Sequence, residues 1–156
     1  MKSNFIGESA PGPVQNTGSD GLGLVPLPCD HAARLTLFSV RRIAGHGLRD
    51  AQAASRMMAA FGLPFRRPLV LMRTTMFELS RASQKTIRLA PCCFPRMTPD
   101  EATLLATFAR ARLNEPAALA NLHALAGEDA ALAGTLCAAA AYSWALADLG
   151  CPLPDE

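Results

Sequence analysis

The stretch Leu89-Ala90-Pro91-Cys92-Cys93-Phe94-Pro95-Arg96-Met97-Thr98-Pro99-Asp100-Glu101 decides how the chain is read. Pro91 and Pro95 lack the amide that a helix interior needs and collide with the preceding turn, so this stretch stays out of helix. It closes on Thr98-Pro99-Asp100-Glu101, the pattern of a capping box. In such a box the Thr98 hydroxyl accepts from the Glu101 amide, the Glu101 side chain reaches back, and proline takes the first helical position. A helix therefore opens after Thr98, with Leu104, Leu105 and Phe108 carrying it to about Leu113.

Downstream, Asn114 opens a fifth helix through Leu119, Leu122 and Leu125, ended by Gly127. A last helix is predicted from about Asp129 to Leu149, closed by Gly150 and Pro152. Its eighteen residues between Asp129 and Asp148 carry no charge, which raises the possibility of a membrane span. Half of them are Ala and only three are Leu, and acidic residues flank them, contrary to the habits of membrane anchors. Small residues on all sides predict instead a central helix gripped by its neighbours.

Upstream, Asp30 caps a first helix running to about Ala44, with Leu35, Phe38, Val40 and Ile43 apolar and Arg34, Arg41 and Arg42 forming a basic face. Asp50 caps a second, whose Ala54, Met57, Met58 and Phe61 have the spacing of one buried face. Phe65-Arg66-Arg67-Pro68 leads into a third, with the stripe Leu69, Met72, Met76 and Leu79. The reading is an all-α protein: a compact bundle of five to six helices, one domain over residues 29–156. Residues 1–28, rich in Gly, Pro, Ser and Asn, are expected to be a disordered or loosely docked tail. Leu22, Leu24, Val25 and Leu27 are the part of it able to lie against the body as an extended strap.

At 156 residues with half its composition apolar, the chain can bury a real core. Few aromatics and much alanine argue against a sandwich or barrel. The net charge of +2 hides a split. From His31 to Arg96 twelve Arg or Lys face two acids, whereas from Met97 onward eight acids face Arg110 and Arg112. Such a split implies an anionic partner for the basic half, or two halves that neutralise each other. Five cysteines without framework spacing, and no apolar leader after Lys2, read as reduced thiols in the cytoplasm.

Three stretches taken together carry a resemblance: Arg34-Leu35-Thr36-Leu37-Phe38 through Gly45-His46-Gly47-Leu48-Arg49-Asp50-Ala51, then Phe65-Arg66-Arg67-Pro68-Leu69-Val70-Leu71, then Ala90-Pro91-Cys92-Cys93-Phe94-Pro95-Arg96-Met97-Thr98. They resemble an uncharacterised family of small helical proteins from sphingomonad-type alphaproteobacteria, a domain of unknown function. The resemblance covers about Pro28 to Leu153. It implies a bacterial cytosolic protein and supplies no activity.

The candidate site is the Cys-Cys-x-Pro-Arg loop. Arg96 and Arg88 stand beside the positive end of the helix that Thr98 opens, where free amides suit an anion. His46 between two glycines, and Arg66 and Arg67, are further candidates for the same ligand. Cys92 or Cys93 is expected to be the most reactive thiol, ahead of Cys137 in its apolar run. Thiol-phosphatase chemistry is improbable, because Cys92 and Cys93 stand too close to Arg96 for a phosphate-wrapping loop. Cys29, His31, Cys92 and Cys93 form the alternative set, for zinc or an iron–sulfur cluster. Against it, zinc knuckles space their thiols two apart, and adjacent cysteines in an extended loop point opposite ways.

No catalytic or cofactor motif stands out. The leading reading is a non-enzymatic binding or regulatory protein without a cofactor. It would hold an anionic ligand or acidic protein, with weak salt-dependent nucleic-acid binding as a further outcome. The alternative is a thiol-based metal or redox site on Cys92 and Cys93. Oligomeric state is not legible.

Overall fold

The structure, a computed structural model, describes residues 5–7 and 23–154. In order, the chain forms β1 (Phe5–Gly7), β2 (Val25–Pro26), α1 (His31–His46), α2 (Ala51–Phe61), a 3₁₀ turn at Leu63–Phe65, and α3 (Arg66–Ala82). It continues with β3 (Ile87–Leu89), β4 (Arg96–Met97), α4 (Pro99–Arg110), α5 (Glu115–Ala126) and α6 (Ala133–Asp148). The all-α bundle expected from sequence is the observed architecture.

Four helices open by one device, a side-chain oxygen accepting from an amide that the first turn leaves unpaired. Asp30 accepts from Ala33 N–H at 2.8 Å and Asp50 from Ala53 N–H at 2.8 Å. Thr98 accepts from Glu101 N–H at 3.1 Å, and Asn114 accepts from Ala117 N–H at 3.1 Å. The box at Thr98 is complete, since Thr98 N–H donates to Glu101 Oε2 at 2.9 Å. Gly127 ends α5 at φ 113°, and a Cβ there would meet Gln84 Oε1 at 2.8 Å. The positive φ is what favours glycine at position 127, since the Gln84 side chain can move aside.

The core gathers where α3 packs along α6, α4 pairs with α5, and α1 lies against α2, α3 and α4. The α3 stripe of Leu69, Met72, Met76 and Leu79 is buried as its spacing predicts, together with Met57, Leu104, Phe108, Leu122 and Leu146. Each such side chain contributes about 1.5–3 kcal/mol by leaving water. Tyr142 sits at the centre, edge-on to Phe108 with ring centroids 5.1 Å apart. Its hydroxyl lies 2.9 Å from Thr36 Oγ1, which itself donates to the Ala32 carbonyl at 2.8 Å. Burial pushes the Tyr142 phenol well above its ordinary range.

Several expectations need correction. Met58 is 52 % exposed, so α2 buries Ala53 and Met57 rather than the full Ala54–Met57–Met58–Phe61 face. The helix after Thr98 stops at Arg110, short of Leu113. The last helix begins at Ala133 rather than near Asp129. Nor does it lie inside: Ala133, Cys137, Trp144 and Asp148 are open along one side. Its partners cover the opposite side, and an apolar surface all round gives sequence no means to tell the two apart.

Of the stretch read as a tail, positions 1–4 and 8–22 lie outside the described residues. Phe5–Gly7 pairs in parallel with Ile87–Leu89. Val25 pairs with Met97 and Pro26 with Arg96, antiparallel, which realises the strap. Both short pairs brace the ends of the non-helical stretch between α3 and α4. No helix among the described residues is long and apolar enough to cross a membrane.

Candidate functional site

The loop from Ala90 to Thr98 is held by one buried ion pair. Arg41 Nε donates to Glu101 Oε1 and Arg41 Nη2 to Glu101 Oε2, both at 2.8 Å, with side chains 3 % and 0 % exposed. The same guanidinium donates through Nη1 to the Phe94 carbonyl at 3.0 Å and through Nη2 to the Arg96 carbonyl at 2.6 Å. Glu101 meanwhile accepts from the amides of Ala90 at 2.8 Å and Thr98 at 2.9 Å. Two charges removed from water are tolerated because nearly every donor and acceptor they carry is used. Arg41 is therefore not part of an outer basic face; it is the peg on which the loop hangs.

Within the loop Phe94 N–H donates to the Pro91 carbonyl at 3.0 Å, closing a turn with Cys92 and Cys93 at its centre. The expectation that neighbouring cysteines point apart assumed extended backbone. In the turn both cysteines line one groove of about 270 Å³, together with Leu27, Arg34, Leu37, Phe38, Arg41, Phe94 and Pro95. A second hollow of about 390 Å³ adjoins it, lined by His31, Arg34, Leu35, Phe38, Arg56, Ala59 and Ala60. Arg34 and Phe38 are common to both. Arg56 lies over the Phe38 ring, 5.3 Å from its centroid.

Beside the groove, Arg42 grips Asp50 with bonds of 3.1 and 2.6 Å, while Asp50 also caps α2. The Arg42 guanidinium holds the Asp50 carboxyl below its ordinary value, and Asp50 holds Arg42 above its own. Arg42 also reaches Cys92. Even so, burial pushes the Cys92 thiol up, outweighing the pull of Arg42 and Arg41. The helix end and its arginines do not make Cys92 a low-pKa thiol. Cys137, expected to be shielded, is exposed, as are Cys29 and Cys93.

The other candidates scatter. Arg96 and Arg88 are exposed, yet their backbones are occupied by the loop scaffold. The Arg96 carbonyl serves Arg41, Arg88 N–H donates to Asp100 Oδ2 at 2.7 Å, and the Arg88 carbonyl accepts from Thr98 Oγ1 at 2.7 Å. His46 is exposed, 3.4 Å from Arg42 Nη1. Arg66 and Arg67 open α3 outside the groove, and Arg67 pairs with Asp148 at 2.6 Å. The alternative metal set of Cys29, His31, Cys92 and Cys93 does not gather. Among the described residues no three His, Cys, Asp or Glu side chains form a group able to hold a metal ion.

Sequence reasoning missed Arg34, Leu37, Phe38 and Arg41 as one wall. They recur at the i, i+3, i+4, i+7 spacing of a single helix face, a signal available in the sequence.

The chain matches DUF6628, a family of unknown function, over residues 16–149. It belongs to that family. The DUF6628 match spans all six helices of the described residues, so the clamp, the turn and both hollows lie within it. No curated protein and no solved structure matches the chain.

Proposed function

We propose that this member of DUF6628 is a non-enzymatic binding protein of the bacterial cytoplasm. The face formed by α1, α2 and the Cys92–Cys93 turn takes an acidic partner that also carries apolar groups. The observation that carries this reading is the meeting of the two hollows at Arg34 and Phe38. There the exposed guanidiniums of Arg34 and Arg56 stand over a floor of Leu35, Leu37 and Phe38. Arg41 and Arg67 are engaged with Glu101 and Asp148 of the acidic half, and Arg42 with Asp50 of its own, so the charge split is partly neutralised within the molecule. On this face Arg34 and Arg56 remain for a partner, where charge steers approach and apolar contact adds affinity. Arg96 and Arg88, exposed beside the loop, extend the basic rim, and exposed His46 lies beside Arg42.

Binding to immobilised heparin tests the reading. The protein is expected to be retained at low salt and released steeply as salt rises. Arg34→Ser with Arg56→Ser should elute at distinctly lower salt, whereas Arg66→Ser with Arg67→Ser should move elution less. No retention at low salt, or equal shifts for the two pairs, overturns it. The same comparison with duplex DNA asks whether nucleic acid is among the polyanions accepted.

A further inference from the structure

The Cys92–Cys93 pair carries an inference that does not depend on the anionic partner. Two adjacent cysteines line one groove, at the centre of the turn that the Phe94 N–H closes on the Pro91 carbonyl. We propose that this turn is a vicinal-dithiol site for a trivalent thiophilic centre, an organoarsenical being the fitting class, with both sulfurs bonded to one arsenic.

Three features support bridging by a third atom rather than a disulfide. A disulfide between neighbours must bring the sulfurs to about 2.05 Å and closes a tight ring through the intervening peptide bond. The turn is braced against that distortion, since the Phe94 amide is bonded to Pro91 and the Phe94 carbonyl to the buried Arg41. Inserting one atom enlarges the ring by a member and lets the sulfurs remain further apart. Second, no third His, Cys, Asp or Glu joins the pair among the described residues, so a centre that needs four protein donors is poorly served. A soft centre that bonds thiolates and is satisfied by two of them is well served. Third, Leu37, Phe38, Phe94 and Pro95 give the groove an apolar wall beside Arg34 and Arg41, which suits the organic substituent that such a centre carries.

The reaction balances without an oxidant. An arsenoxide, R–As=O, exchanges its oxygen for two sulfurs. Two As–S bonds form and the As=O bond breaks. The two thiol protons leave with that oxygen as one water. Arsenic stays trivalent and both sulfurs stay at the thiolate level. Half-buried Cys92 and exposed Cys93 give an order to it, with Cys93 bonding first and Cys92 closing the ring.

The test uses the full reduced chain and phenylarsine oxide, read by intact mass under native conditions. One phenylarsenic per chain is expected, with loss of one water. It should survive a monothiol wash and be removed by a small dithiol. Cys92→Ser and Cys93→Ser should each abolish the wash-resistant adduct, while Cys29→Ser, Cys137→Ser and Cys151→Ser retain it. Thermal melting of the two loop variants shows that they remain folded, and Cys92→Ala is the substitute if the serine does not. Absence of the adduct in the wild-type chain overturns the proposal. So does its persistence in either loop variant, or rapid closure of a Cys92–Cys93 disulfide in air. Failure of heparin binding leaves this result untouched, and the reverse also holds.

Discussion

Arg41 and Glu101 meet in the core with two hydrogen bonds of 2.8 Å, and each also holds backbone of the Cys-Cys loop. Arg41 takes the carbonyls of Phe94 and Arg96, and Glu101 takes the amides of Ala90 and Thr98. Arg41→Met should cost about 3–5 kcal/mol, because it leaves a buried carboxylate without its counter-charge. Denaturant midpoints measure this. A cost below about 1 kcal/mol, within the range of surface pairs, would show the pair to be dispensable.

Thr98→Ala should destabilise by about 1 kcal/mol through loss of the N-cap. The hydroxyl accepts from Glu101 N–H and donates to the Arg88 carbonyl, so the upper half of the usual range is expected. Thr98→Ser, which keeps both bonds, should recover most of the loss in the same unfolding experiment.

Asp50→Asn should weaken the protein at neutral pH, and the deficit should vanish in acid. The Arg42 hydrogen bond holds the folded Asp50 carboxyl below its ordinary value of 3.8. Its contribution is therefore complete above the unfolded value and disappears as pH falls through the lower folded one. Unfolding midpoints of the two proteins between neutral pH and the acid side of that range provide the check. A deficit that does not change with pH would remove the ion pair as its cause.

Brief alkylation of native protein should label Cys93 ahead of Cys92. Cys92 is only half exposed, and burial pushes its thiol up, which lowers the thiolate fraction at neutral pH. Exposed Cys137 should also outrun Cys92. Peptide mapping after a short pulse gives the order, and first labelling at Cys92 would contradict the burial described.

Trp144, the one tryptophan, is 50 % exposed on the open side of α6, with the Arg112 guanidinium 5.2 Å from its ring centroid. Its fluorescence should be readily quenched by iodide in the native state. Quenching that becomes effective only on unfolding would return α6 to the interior.

The local part of this fold was legible in the sequence, and the tertiary part was not. Asp30, Asp50, Thr98 and Asn114 announce their helices because a cap involves residues three apart. The Leu69–Met72–Met76–Leu79 stripe announces its face for the same reason. Arg41 could not be placed, because an arginine on a helix reads as solvent-facing until its mate, 60 positions away, is known. The open side of α6 is invisible in a run of alanines that offers no polar side to contrast. That Cys92 and Cys93 sit at the centre of a turn and line one groove was not legible either, because the two flanking prolines permit the Phe94–Pro91 hydrogen bond but do not specify it.

The double duty of Glu101 also bears on the order in which the molecule assembles. A capping glutamate ordinarily belongs to the fast, local chemistry of helix initiation, whereas this one completes its bonding only when α1 arrives from 60 positions upstream. Closing so long a loop carries an entropic cost that a cap between residues three apart does not. The cap at Thr98 needs only local residues, whereas the final shape of the Cys-Cys turn also needs α1. During synthesis α1 emerges first and its Arg41 has no Glu101 to meet until residue 101 is made, so the clamp that holds the loop cannot form on a shorter chain.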